Sequence, residues 1–170
     1  MMIERDLQKI QCLSIERRDE NWKFRAWLKF HAPANVDDVV AGLSQKYFEL
    51  IDCKECGNCC RSLEIFMEKQ DLSTMADAKC DSVQEFESKF TFVDEDGDRL
   101  LKPPCPMLSG NLCSIYANRP DTCRTFPHLE KPGFVSRLIG VIGSLAVCPI
   151  AFNVFEELKV TVGWHDRDGQ

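Results

Sequence analysis

Cys53-Lys54-Glu55-Cys56-Gly57-Asn58-Cys59-Cys60 is the stretch on which the reading of this chain turns. It spells C-x2-C-x2-C-C, four thiols within eight residues. Three cysteines at two-residue gaps face a common point when a loop curls, as metal-binding loops do. Gly57 lies inside the loop, where a positive φ lets the backbone curl and turn its amides toward sulfur. Four more cysteines follow at Cys105, Cys113, Cys123 and Cys148, whereas Cys12 and Cys80 belong to no tight spacing and read as packing residues.

Composition narrows the chemistry. Ten cysteines in 170 residues is a high count, and the opening MMIERDLQKI carries charges where a secretory signal needs an apolar run. A cytoplasmic location is therefore expected, and in a reducing compartment such a cysteine set points to metal rather than to disulfides. Lys+Arg total 21 against 27 Asp+Glu, a net charge of -6, and no basic run exceeds Arg17-Arg18, which argues against a nucleic-acid partner. The longest uncharged stretch, Leu138 to Phe155, is short and interrupted by Gly140, Gly143, Pro149 and Asn153, which argues against a membrane span.

Read outward from the cysteine loop, the preceding segment is helical. Val36, Val39, Val40, Leu43, Tyr47, Leu50 and Ile51 recur at helical spacing, with Asn35 or Asp37 as the cap. Further upstream, Trp22, Phe24, Ala26, Leu28 and Phe30 alternate, which predicts a strand with Ile10 to Ile15 as its hairpin partner. Downstream, Leu63 to Met67 reads as a short strand and Asp71 as the cap of a helix reaching Lys79. Ser82-Val83-Gln84-Glu85 is a capping box opening another helix. Asp94 to Asp98 reads as a hairpin turn; it is not a calcium loop, because the glycine sits fourth instead of sixth and Cys105 stands where the bidentate Glu belongs. A second hairpin with its turn at Ser109 to Asn111 returns Cys113 toward Cys105. Pro120 suits the start of a short helix bearing Cys123, and a helix is expected over Ile150 to Leu158. The expected fold is α+β, a small irregular domain with short strands and helices around a cysteine-lined metal core. Its expected divisions are a strand or hairpin extension over 1–34, a cysteine-cluster metal-binding domain over 35–163 and a loose tail over 164–170.

Four thiolates suffice for one tetrahedral ion or one cubane cluster. The candidate metal ligands Cys53, Cys56, Cys59, Cys60, Cys105, Cys113, Cys123 and Cys148 therefore make two sets of four, or one set plus a partial site. Cys59 and Cys60 are adjacent, and in extended backbone their side chains diverge, so they are expected to serve different centres. One division joins Cys53, Cys56 and Cys59 with a distant cysteine, and Cys60 with three of Cys105, Cys113, Cys123 and Cys148. Such sites are strongly anionic and call for cations and donors around them. Arg61, Arg119 and Arg124 stand within four residues of a cysteine and either tune the site, hold an anion, or make ordinary ion pairs. Structural zinc commonly takes all-cysteine sites. The C-x2-C-x2-C spacing, with Cys105 and Cys148 each followed by proline, leans toward one or two iron–sulfur clusters, although Leu63 occupies the place of a ferredoxin-type fourth cysteine. His128 is the one histidine close to the cysteine region.

Taken together, C-x2-C-G-x-C-C at 53–60, Pro104-Cys105-Pro106-Met107-Leu108, Cys113-Ser114-Ile115-Tyr116, Arg119-Pro120 with Cys123-Arg124 and Phe126-Pro127, and Cys148-Pro149 resemble the CxxCxxCC cysteine-cluster family. That family is described as chelating zinc or iron and includes YkgJ-type proteins and flagellin lysine N-methylases. The resemblance implies that the same eight cysteines are metal ligands and leaves Cys12 and Cys80 out. Three functions fit: an iron–sulfur protein serving electron transfer or protein modification, a zinc-stabilised protein-binding module without catalysis, and a methyltransferase-like enzyme. The last rests on the resemblance alone, and a protein partner remains open.

Overall fold

The computed structural model describes residues 2–166. In chain order its elements are α1 Leu7–Glu16, α2 Arg18–His31, α3 Val36–Leu50, α4 Cys53–Cys56, α5 Asn58–Ser62, β1 Ile65–Phe66, α6 Lys69–Lys79, α7 Val83–Phe90, β2 Thr91–Val93, β3 Arg99–Leu101, β4 Leu108–Ser109, β5 Leu112–Cys113, α8 Asp121–Thr125, α9 Leu138–Ser144 and α10 Pro149–Thr161. The fold is α+β, mostly helical with a few short antiparallel strands. The chain divides into two compact units, one formed by Met1–Asp52 with Pro127–Gln170 and the other by Cys53–Phe126.

The first unit is helical, and the hairpin expected over 1–34 is replaced by α1 and α2. The alternation that suggested a strand is overridden by a helical stripe. Asn21, Phe24 and Leu28, at i, i+3 and i+7, are buried, whereas Trp22 and Phe30 are 39% and 84% exposed. Asp6 starts α1 by accepting the N–H groups of Gln8 (2.9 Å) and Lys9 (3.1 Å). Helix α10 is the axis of this unit: Pro149 sits in its first turn, and nearly every residue from Pro149 to Phe155 faces protein. It packs on α3, α1 and α9. Phe24 meets Phe155 edge-on at 5.3 Å and Trp164 at 5.1 Å, so Trp164 is buried and does not belong to a loose tail. Residues 167–170 of that expected tail lie outside the described residues.

Two polar clusters lock the helices of this unit together. Lys159 is buried with its ammonium 2.8 Å from Glu20 and 2.7 Å from Glu156, and Arg17 also pairs with Glu156. Asp37, considered from sequence as the cap of α3, instead accepts the backbone N–H of Gly133 (2.7 Å) and Phe134 (2.9 Å). Those two bonds, with Arg137 nearby, hold the Asp37 carboxyl below its ordinary range. A depressed folded-state pKa contributes stability that is fully present above the unfolded carboxylate value and fades as pH falls through the folded value. Urea midpoints measured from pH 6 down through the acid range should therefore fall less steeply for Asp37→Asn than for the wild-type chain. Identical slopes would show that the Asp37 bonds do not contribute.

The second unit surrounds a small core of Ile65, Met67, Leu72, Met75, Ala76, Phe86, Leu101 and Met107. Its sheet runs β1-β3-β2, antiparallel throughout, with Phe66 opposite Leu100 and Thr91 opposite Leu101. The β2–β3 turn is held by Asp94, whose carboxylate accepts N–H from Asp96 (3.0 Å) and Asp98 (2.8 Å). Helix α7 opens with the expected capping box, Ser82 and Glu85 satisfying each other's backbone. Helix α6 opens one turn earlier than its aspartate suggested, with Glu68 as the cap and Asp71 as its reciprocal partner.

Candidate metal centre

The cysteine loop folds as two short helical turns, α4 and α5, joined at Gly57. Gly57 has φ +59°, the left-handed conformation that glycine adopts without penalty. A Cβ there would also stand 3.1 Å from Arg61 Nη1 and 3.2 Å from the Asn111 backbone, so both conformation and space require glycine. Cys59 and Cys60 lie within helical α5, which corrects the expectation of extended backbone at this pair. Successive helical residues point about 100° apart, and the Cys59 thiol hydrogen-bonds to Cys60.

Three further cysteines are delivered to Cys60 by neighbouring elements. The Cys105 N–H donates to the Cys60 carbonyl at 2.8 Å. The β4–β5 hairpin pairs Leu108 with Cys113, and its turn passes through Gly110 at φ +62°. Helix α8, carrying Cys123, packs on β1. Cys105, Cys113 and Cys123 all lie against the core of this unit. The electrostatics agree: Cys60 acts on each of the other three, and Cys105 and Cys113 both act on Cys123.

The four thiols differ in their readiness to ionise. The hydrogen bond from Cys59, with Arg61 and Arg119, draws Cys60 down to about 7. Burial pushes Cys105 up to about 11 and Cys123 up to about 12, and neighbouring thiols add to both shifts. Burial also raises Cys113, while Arg119 opposes the rise. Cys60 is thus the sulfur that carries charge first, and thiolate is the metal-binding form. No disulfide joins any of the ten cysteines. Among the described residues, no three His, Cys, Asp or Glu side chains stand as a ready-made metal-binding group. The donor set suits a thiophilic ion by its chemistry, four thiols of one unit that act on one another electrostatically, with two cations beside the most acidic of them.

The remaining sequence candidates fall as follows. Cys53 is exposed and Cys56 half-buried, on α4, which packs on β5. Cys148 belongs to the helical unit, where it caps α10 by accepting the Ala151 N–H at 3.5 Å. His128 also belongs to that unit. Arg61 donates to the carbonyls of Cys56 (2.7 Å) and Gly110 (3.0 Å) and to the Asn111 side chain. Arg119 stacks on the Tyr116 ring at 3.8 Å, and Lys54 approaches the same ring at 5.9 Å. Arg124 ties the carbonyls of Ala117 (3.1 Å) and Arg119 (3.2 Å). Asn111, which sequence reasoning used only as a turn residue, also donates to the Glu55 carbonyl at 2.6 Å. Cys12 and Cys80 are exposed, and Cys80 ends α6 at φ +57°. Cys80→Gly should therefore raise stability by about 0.5–1 kcal/mol in urea unfolding and leave metal content unchanged; lost metal would make Cys80 a ligand.

A family model described as "Putative zinc- or iron-chelating domain", CxxCxxCC, matches residues 52–139. The chain belongs to the CxxCxxCC family. The match covers just over half of the chain and takes in Cys53, Cys56, Cys59, Cys60, Cys80, Cys105, Cys113 and Cys123 of this CxxCxxCC protein, while Cys12 and Cys148 lie outside it. No curated protein matches the chain, and no solved structure does. No helix among the described residues is long and apolar enough to cross a membrane.

Proposed function

We propose that Cys60, Cys105, Cys113 and Cys123 hold one metal centre, with Cys59 beside it through its hydrogen bond to Cys60 and Cys53 and Cys56 on the adjoining turn as further thiols available to metal. The supporting observation is that Cys60 on α5, Cys105 in the loop before β4, Cys113 on β5 and Cys123 on α8 share a single unit, the last three packed against its core and Cys60 beside Arg61 and Arg119. The sulfurs draw together when the ion arrives, as expected where metal binding and folding are coupled. The guanidinium charge beside Cys60 offsets part of the anionic charge of a thiolate set.

The centre is proposed to be an iron–sulfur cluster serving electron transfer or a protein-modification system in the reducing cytoplasm. Bound there, a cluster would supply a one-electron couple, whereas zinc would supply only cross-linking. The residues of the chain bind the centre, exclude water from Cys105 and Cys123, and set the charge around Cys60. The packing of three of the sulfurs against the core also favours a second reading, a zinc-stabilised protein-binding module.

Metal and acid-labile sulfide analysis of anaerobically purified protein tests the choice. Iron with sulfide, and absorption near ~400 nm, is the expected result. Zinc without sulfide would replace it with the binding module. Binding of S-adenosylmethionine would instead favour the methyltransferase-like activity suggested by the flagellin lysine N-methylases.

A further inference from the structure

The two chain segments that present Cys60 and Cys113 are fastened by bonds in which no sulfur takes part. Arg61 follows Cys60 directly and spreads its guanidinium over both segments. Nη1 donates to the Cys56 carbonyl at 2.7 Å; Nη2 donates to the Gly110 carbonyl at 3.0 Å and to Asn111 Oδ1. Asn111 answers from the hairpin, its Nδ2 donating to the Glu55 carbonyl at 2.6 Å. Gly57 lets the segments close, because a Cβ on it would press on both Arg61 and Asn111.

We propose that Arg61 and Asn111 are positioning residues that set the register of the cysteine loop against the β4–β5 hairpin before metal arrives. This rests on the metal centre proposed above. Each residue closes one half of a reciprocal clasp: the guanidinium reaches from the loop to the hairpin, and the amide reaches back. The guanidinium fork is what the clasp needs. Lysine keeps the positive charge near Cys60 but supplies a compact ammonium on a flexible stem, which cannot span three acceptors in fixed directions. Setting the register in advance lowers the ordering cost that binding must otherwise meet, and that is how supporting groups around a metal site raise its affinity.

The test is titration with Co2+ alone, followed by thiolate charge-transfer absorption, for the full chain and for Arg61→Lys, Asn111→Ala and the double variant. Hydrogen exchange of each metal-free protein runs in parallel. Each single variant should bind about 10- to 100-fold more weakly with unchanged stoichiometry. The double variant should be barely weaker than either single one, because both residues close the same clasp. Phe86→Leu, a core change in the same unit, should lower stability without that coupling. In the metal-free variants, exchange should quicken at residues 53–61 and 108–113. Wild-type affinity in Arg61→Lys, or strictly additive losses, would overturn the proposal. A wild-type chain that takes up no Co2+ would overturn the metal reading; the exchange data would still decide the clasp, and unchanged protection in Arg61→Lys would refute it.

Discussion

Cys60→Ala is expected to leave the protein unable to hold its metal, with an affinity loss well beyond the ~100-fold typical of removing an outer supporting group. Cys60 is the sulfur whose charge reaches Cys105, Cys113 and Cys123. It is also the one already drawn down to about 7, by the Cys59 hydrogen bond and the two arginines. Removing it takes away the readiest thiolate and leaves three sulfurs, two of which burial holds strongly toward the protonated form. Because ligand binding and folding share their free energy in such sites, residues 53–126 should also become more susceptible to proteolysis. Cys12→Ala, which changes an exposed thiol on α1, should do neither. Atomic absorption and limited proteolysis of the three proteins check this. Equal metal content in Cys60→Ala and Cys12→Ala would remove Cys60 from the ligand set.

Lys159→Met should destabilise the helical unit by about 1–3 kcal/mol, the cost of removing a buried ammonium whose carboxylate partners keep either solvent or a second cation. The Lys159 side chain is 5% exposed, and it faces Glu20 and Glu156. Methionine refills the volume but leaves Glu20 and part of Glu156 without their cation, with Arg17 the remaining partner of Glu156. The ammonium also lies 5.6 Å from the Phe155 ring and 5.9 Å from the Trp164 ring, contacts that methionine replaces only by packing. Lys46→Met is the matched control: Lys46 pairs with Glu157 at 2.7 Å but is 47% exposed, and its loss should cost no more than about 1 kcal/mol. Trp22, Trp27 and Trp164 all belong to the helical unit, so urea unfolding followed by tryptophan emission reads it directly. A Lys159→Met midpoint equal to that of Lys46→Met would show that the buried cluster contributes no more than a surface pair.

What could be read in the sequence was what local chemistry dictates. The left-handed Gly57, the capping box at Ser82 and Glu85, the Asp94 turn and the hairpin through Gly110 each depend on residues within a few positions of one another. The N-terminal helices escaped because Trp22, Phe24, Ala26, Leu28 and Phe30 alternate by accident of sequence, while the buried stripe includes the polar Asn21. Asp6, a good N-cap ahead of Leu7, Ile10 and Leu13 at helical spacing, was the signal that could have found α1. The partners of Cys60 could not be chosen from spacing, because their meeting depends on β1, the β4–β5 hairpin and α8 packing on a common core. Asn111 was equally hidden: a turn residue reveals nothing in sequence about a carbonyl 56 positions away.

Alkylation of each thiol, quantified by mass spectrometry before and after metal removal, tests the four-sulfur centre most directly. With metal bound, Cys60, Cys105, Cys113 and Cys123 should resist labelling while Cys12 and Cys80 react at once, and chelation should release the four together. If those four label at the same rate with metal and without it, they are not its ligands.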